Sequence, residues 1–349
     1  MDAETARRWF LPIWLALCSL AIEAPLGSAQ ERPARSQIVE DLYDAQLVDA
    51  DDGWVVGAFG AVYHTSDGGR HWQMQHVPTT QDLYSVSFSD ARNGWAVGRT
   101  GTIIHTADGG ALWTAQQGPT AKHLFKVSFI DSREGWVVGD WGVVLQTVDG
   151  GATWRDRSLG EDEVLYAIDF VDRLTGWIVG ERGSIRHTVD GGETWIRQTS
   201  AAQKTLFGVA AVSREKAWAV GMDGLVVRTR DGGATWQIQQ GNGRIASLEM
   251  LGPTELLNDP GLYDVKIRGG KGYVVGDFGN LLVSEDAGET WTRVLLPPEW
   301  RLSWIRGLSV LPSGAGLVVG ASGLTFAVNG REMHFSQDGS QPPKLRSVD

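Results

Sequence analysis

The chain has one cysteine in 349 residues, Cys18. It falls in a leader, so the chain beyond it has none. That excludes disulfides and thiol chemistry there, and tolerates an oxidising compartment without requiring one. Lysine is sparse, and the formal net charge is −11. Such a surface repels phosphate backbones, so no nucleic-acid partner is expected. Long apolar runs are lacking as well. The run Trp9–Ile22 spans about 14 residues, short of the roughly 20 that cross a bilayer. Arg7 and Arg8 precede it and Gly27-Ser28-Ala29 follow it, which reads as a secretory signal peptide over residues 1–29. A periplasmic or secreted protein is the expectation. The sequence has no G-x-x-x-x-G-K-[ST] phosphate loop and no histidine cluster at metal-ligand spacing, so no cofactor and no metal are expected.

What the chain has is glycine (45 residues) and tryptophan (16). Their placement explains their number. Thr188-Val189-Asp190-Gly191-Gly192-Glu193-Thr194-Trp195 is a turn closed by an aromatic anchor. An Asp side chain accepts hydrogen bonds from backbone N–H groups two or three residues on, and the Gly pair admits positive φ. The Trp buries its ring against the turn and gives its indole N–H to a backbone carbonyl in this reading. The same box recurs with Asp67, Asp108, Asp149 and Asp231, and in altered form with Asp286. Its tryptophans are Trp72, Trp113, Trp154, Trp195, Trp236 and Trp291, the first five spaced 41 residues apart. This is a repeat protein, and each unit packs only on its neighbours.

One unit shows the plan. Residues 83–88 alternate apolar and polar as a strand, Asp90–Asn93 make a turn, and Gly94–Gly98 are a second strand. Arg99-Thr100-Gly101 turn into a third strand at 102–106, the box follows, and Trp113 opens a fourth. Four short antiparallel strands in about 41 residues make one propeller blade. The Gly-x-x-Gly of the second turn repeats from Gly57/Gly60 to Gly320/Gly323 and counts seven blades. The fold class is therefore all-β, a seven-bladed β-propeller over residues 38–338. A linker at 30–37 precedes it and a polar, disordered tail at 339–349 follows. Residues 36–41 are a candidate closing strand. Between blades five and six the spacing lengthens by 14 residues, an insertion within Gly241–Gly261.

The combination of Asp131…Gly135-Trp136-Val137-Val138-Gly139 with Thr147–Trp154 resembles the Asp-box repeat of the Ycf48/HCF136 family, the photosystem II stability and assembly factors. The resemblance runs from residue 42 to about 335. It implies a seven-bladed propeller without catalytic activity that holds a membrane-protein intermediate during assembly, outside the cytoplasm. The partner it implies is a protein, a membrane-protein subunit or assembly intermediate; the chain itself is expected to be a monomer.

The six box aspartates occupy one repeat position, so the fold spreads them around the rim, too far apart for paired acid–base chemistry. They read as turn formers. His64, His105 and His187 share a third-strand position with Gln146, Arg228 and Val283, which argues for packing. Information that the repeat does not dictate sits in the variable turns. There stand Arg99, Asp140, Trp141, Glu181, Arg182, Asp223, Asp277 and Phe278. Trp300 and Trp304, in the connection before the last blade, fall on the same face. Exposed aromatics beside charges are what a protein-binding face uses. No catalytic residue is assigned. The competing class is a glycoside hydrolase, sialidase-like or xyloglucanase-like, because Asp140, Glu181, Asp223 and Asp277 supply carboxylates on that face.

Overall fold

The computed structural model describes residues 38–240 and 260–335. The leader, the linker at 30–37, nearly all of the insertion and the tail at 339–349 lie outside the described residues. Among the described residues, no helix is long and apolar enough to cross a membrane.

Seven four-stranded antiparallel sheets form, each from four consecutive strands. The innermost strands are the first of each blade: β1 (Leu42–Leu47), β5 (Leu83–Phe88), β9 (Leu124–Phe129), β13 (Leu165–Phe170), β17 (Leu206–Ala211), β21 (Leu262–Arg268) and β25 (Ile305–Val310). They pack side by side around the axis, and β1 packs against β25 to complete the ring. The second strands are β2 (Asp52–Gly57), β6 (Gly94–Gly98), β10 (Gly135–Gly139), β14 (Gly176–Gly180), β18 (Ala217–Gly221), β22 (Lys271–Gly276) and β26 (Ala315–Gly320). Among the described residues, no strand is exchanged between the first and last blades. Residues 38–41, the described part of the candidate closing strand, are not a strand. Ile38 is instead buried in the cluster that joins blade one to blade seven, with Leu317 and Val319.

The core sits between blades. Trp54, Trp95, Trp136, Trp177 and Trp218 of the second strands are fully buried, with Tyr273 taking the same place in blade six. A phenylalanine from the next blade stacks on three of them, as Phe129 does on Trp95 at 3.5 Å between ring centroids. A third-strand histidine lies over Trp54, Trp95 and Trp177, as His105 does over Trp95 at 4.7 Å. Burial holds His105 and His187 below the ordinary histidine value. The histidines therefore pack, as their repeat position suggested.

The boxes differ in detail from the expectation. Asp190 accepts the N–H of Thr194, four residues on, at 3.0 Å, and the Thr194 hydroxyl at 2.6 Å. The buried member is Thr188, whose oxygen accepts the N–H of Gly192 at 2.9 Å. None of the six box indoles finds a backbone carbonyl, and those of Trp72, Trp195 and Trp291 are buried without a partner. Trp113, Trp154 and Trp236 donate to the side chains of Gln75, Gln116 and Gln198 in the preceding blade.

Candidate functional site

The two-residue turns joining second to third strands all lie at the end of the propeller where the first strands begin. In each blade the turn reaches back to the residue before the first strand: the N–H of Arg99 meets the carbonyl of Asp82 at 2.9 Å, and that of Asp140 meets His123 at 3.0 Å. The first glycine of each pair is required by this closeness. A Cβ on Gly98 would stand 1.9 Å from the Asp82 carbonyl oxygen. The turn then forces its second residue into the left-handed region. Phe59, Thr100, Trp141, Arg182, Asp223, Phe278 and Ser322 have φ between 52° and 60°. Left-handed backbone costs a non-glycine residue about 1–2 kcal/mol. Three of these residues are nevertheless large aromatics turned to solvent: Phe59 is 78% exposed, Trp141 56% and Phe278 43%.

The other predicted residues share this face. Lys122 holds its ammonium 5.5 Å from the centre of the Trp141 ring. Arg99 lies 3.9 Å from Asp82, and Asp223 pairs with Lys204 at 2.9 Å. Arg182 is exposed beside half-buried Glu181. Burial raises the carboxyl of Asp140, against the pull of His123, and Glu181 nearby adds to the rise. Asp277 accepts the Tyr263 hydroxyl and the Gly261 N–H. Trp300 is turned partly inward, against the core between blades six and seven.

Trp304 leads to residues that sequence reasoning used only as strand starts. The second residue of every first strand is skipped by the pairing: register jumps from Leu42 to Asp44, from Leu83 to Ser85, and so on to Ile305 and Gly307. A bulge of this kind turns the extra side chain out of the ladder. In six blades it is aromatic, and the rings touch in sequence: Tyr43–Tyr84, Tyr84–Phe125, Phe125–Tyr166, Tyr166–Phe207 and Phe207–Tyr263, with centroids 5.1–5.7 Å apart. In the seventh blade the residue is Arg306. Its guanidinium lies 4.7 Å from the Tyr263 ring and 6.0 Å from Tyr43, and Trp304 stacks on Tyr43 at 5.9 Å. An aromatic annulus closed by one arginine thus surrounds the axis at the centre of the face. The signal for it was present: one repeat position is aromatic in six blades and arginine in the seventh.

Below the annulus the channel is ion-paired. Lys126 reaches Asp44 at 2.8 Å, and the Ser85 hydroxyl donates to the same carboxylate at 2.7 Å. Burial works against the Lys126 charge, but Asp44 and Asp264 outweigh it and hold its value up. Burial raises the Asp264 carboxyl. Beyond this layer a polar cavity of about 750 Å³ opens toward the box end of the propeller. Among the described residues there is no cluster of side chains able to hold a metal.

The family model of photosystem II assembly factor YCF48 matches residues 29–118, 111–204, 159–239 and 198–302. No curated protein matches the chain. A solved structure described as YCF48 bound to a D1 peptide superposes with a TM-score of 0.66 at 19% identity, covering 87% of this chain and 94% of that one. YCF48 from Cyanidioschyzon merolae gives a TM-score of 0.66 at 18% identity, covering 84% and 96%. A GH74 xyloglucanase from Xanthomonas campestris gives 0.65 at 12% identity, covering 88% of this chain but 55% of that one.

Proposed function

This chain belongs to the photosystem II assembly factor YCF48 family, and from that premise we propose that it is a non-catalytic scaffold whose variable-turn face docks a membrane-protein subunit during assembly. The observation that carries the reading is the set of exposed aromatics held in left-handed backbone: Phe59, Trp141 and Phe278. A fold indifferent to that face would place glycine there at lower cost. Partner selection gives a reason for the strain. The D1 peptide bound by one solved relative supports a D1-like membrane subunit as the partner class. The leader at 1–29 supports action outside the cytoplasm, and the native N-terminus should then begin near Gln30 by mass spectrometry. An intact Met1 in a cytoplasmic fraction would refute that location.

Trp141→Ala tests the docking face. Truncating a central aromatic anchor costs about 2 kcal/mol or more of binding. The variant should keep its circular dichroism spectrum and lose co-purification of the partner from native membranes. Undiminished recovery would put the site elsewhere. The hydrolase reading draws on one specific feature, the raised Asp140 carboxyl beside Glu181, which is how a general acid is prepared. Release of oligosaccharides from xyloglucan by the wild-type chain, abolished by Asp140→Asn, would replace the scaffold reading.

A further inference from the structure

The annulus stands in a ring of carboxylates. Asp82 and Asp41 act on Tyr43, Asp82 and Asp140 on Tyr84, Glu181 and Asp140 on Tyr166, and Asp277 on Tyr263. Arg99 and Arg306 are the cations within reach of the same tyrosines. Some of the carboxylates already serve the fold: Asp82 accepts the N–H of Phe59 and Asp41 that of Ser322, both at 2.9 Å. Neither bond removes the negative charge. Among the described residues the two floor lysines are already paired, Lys126 with Asp44 at 2.8 Å and Lys266 with Asp264 at 3.7 Å, so the floor does little to offset this rim. An aromatic ring presents a negative face to a cation, and complementary potential selects the sign of the partner. The chain itself shows the chemistry twice, with Arg306 over Tyr263 at 4.7 Å and Trp304 at 5.3 Å, and with Lys122 over Trp141 at 5.5 Å.

We propose that the aromatic annulus and its acidic rim receive a basic side chain, lysine or arginine, carried on an extended segment of the protein partner. This rests on the docking-face reading and gives that partner a sign of charge. Arg306 is then the resident cation of the recess. It fills the seventh place while the site is free and shares the ring faces with the incoming side chain when it is occupied.

The test uses the full chain and fluorescein-labelled Gly/Ser peptides with a central Arg-Lys, Gln-Gln or Glu-Glu pair, followed by fluorescence anisotropy. The Arg-Lys peptide should bind, and the other two should not. A double Asp140→Asn/Glu181→Gln variant, which keeps the shape of both side chains, should weaken that binding about tenfold. Tyr166→Leu should weaken it too, with circular dichroism confirming the fold. Arg306→Ala should bind the basic peptide as tightly as wild type or more tightly, since it removes a competing cation. Preferential binding of the Glu-Glu peptide, lost in Arg306→Ala, would overturn the proposal in favour of an anion site. Binding of none of the peptides would overturn it as well. The two readings separate through the native partner. If the double variant recovers the partner fully while Trp141→Ala does not, the basic recess is wrong and the docking face stands. If neither variant loses the partner, both are wrong.

Discussion

At the scale of single residues, the chain spends strain where it displays side chains and little where it folds. Trp141 sits at φ 60° with more than half its surface in water. Trp141→Gly should therefore leave stability within about 1 kcal/mol of wild type, because relief of left-handed strain offsets the added freedom of the unfolded chain. Urea unfolding measures this, and a loss well beyond that margin would mean the ring is packed for stability. The box divides its labour in the opposite way. Asp190 is exposed, and its bonds compete with water. Thr188 is buried and alone accepts the N–H of buried Gly192. Thr188→Val keeps the shape and orphans that N–H, at about 1–3 kcal/mol. Asp190→Ala should cost less. The opposite order would show that the carboxylate is the member that holds the turn.

At the scale of the element, the repeat made strands, turns and blade count legible, because period-2 alternation and glycine spacing are local properties. What joins the blades was not legible. Gln75, Gln116 and Gln198 each accept an indole N–H from the next blade and donate to a box carbonyl there, for instance Gln198 to Gly232 at 2.8 Å. These glutamines lie 34 residues from the carbonyls they reach, and no local pattern marks the pairing. The annulus escaped for a related reason: a bulge is a fact of pairing between strands, and Tyr43 or Tyr166 alone reads as an ordinary strand residue. In blade three the glutamine position holds Arg157, and the Trp195 indole is left without a partner. Arg157→Gln should supply one, raising stability by about 0.5–1.5 kcal/mol less the exposed Arg157–Glu193 pair it removes. A fall in the melting temperature would show that the Arg157 contacts matter more than the orphaned indole. The boxes also set the response to acid. The Thr153, Thr194, Thr235 and Thr290 hydroxyls hold the carboxyls of Asp149, Asp190, Asp231 and Asp286 below the usual value, and Asp286 falls from 3.8 to about 2. A depressed folded value gives stability that is present above the unfolded value and lost as pH falls through the folded one. Unfolding free energy should therefore drop between about pH 4 and pH 2. Replacing the four threonines by alanine should flatten that drop.

At the scale of the whole molecule, the described residues close the ring without a shared strand. The seam between blades seven and one is the buried cluster of Ile38, Leu42, Ala45, Val55, Ala61 and Tyr63 with Leu317 and Val319, joined by a few hydrogen bonds. Gly323 N–H meets the Glu40 carbonyl at 2.9 Å, Leu47 N–H meets the Ser309 hydroxyl at 2.8 Å, and Ser322 N–H meets Asp41 at 2.9 Å. Every other junction has the chain itself as a tether, so this one is the natural place for the ring to open. The seam also runs through the centre of the docking face, since Arg306 and Trp304 stand on one side of it and Tyr43 on the other. Opening the ring would break the annulus. Ile38→Ala should therefore do two things at once. It should lower stability by about 2–5 kcal/mol, the range for emptying a buried aliphatic site. It should also speed hydrogen exchange in β1, β25 and β26 before blades three and four respond. A ligand bridging the annulus should slow exchange at the same three strands, because it holds the two sides of the seam together. Exchange that rises evenly around the ring in Ile38→Ala, or ligand protection confined to blades three and four, would show that the seam is no weaker than the other junctions and that the annulus does not span it.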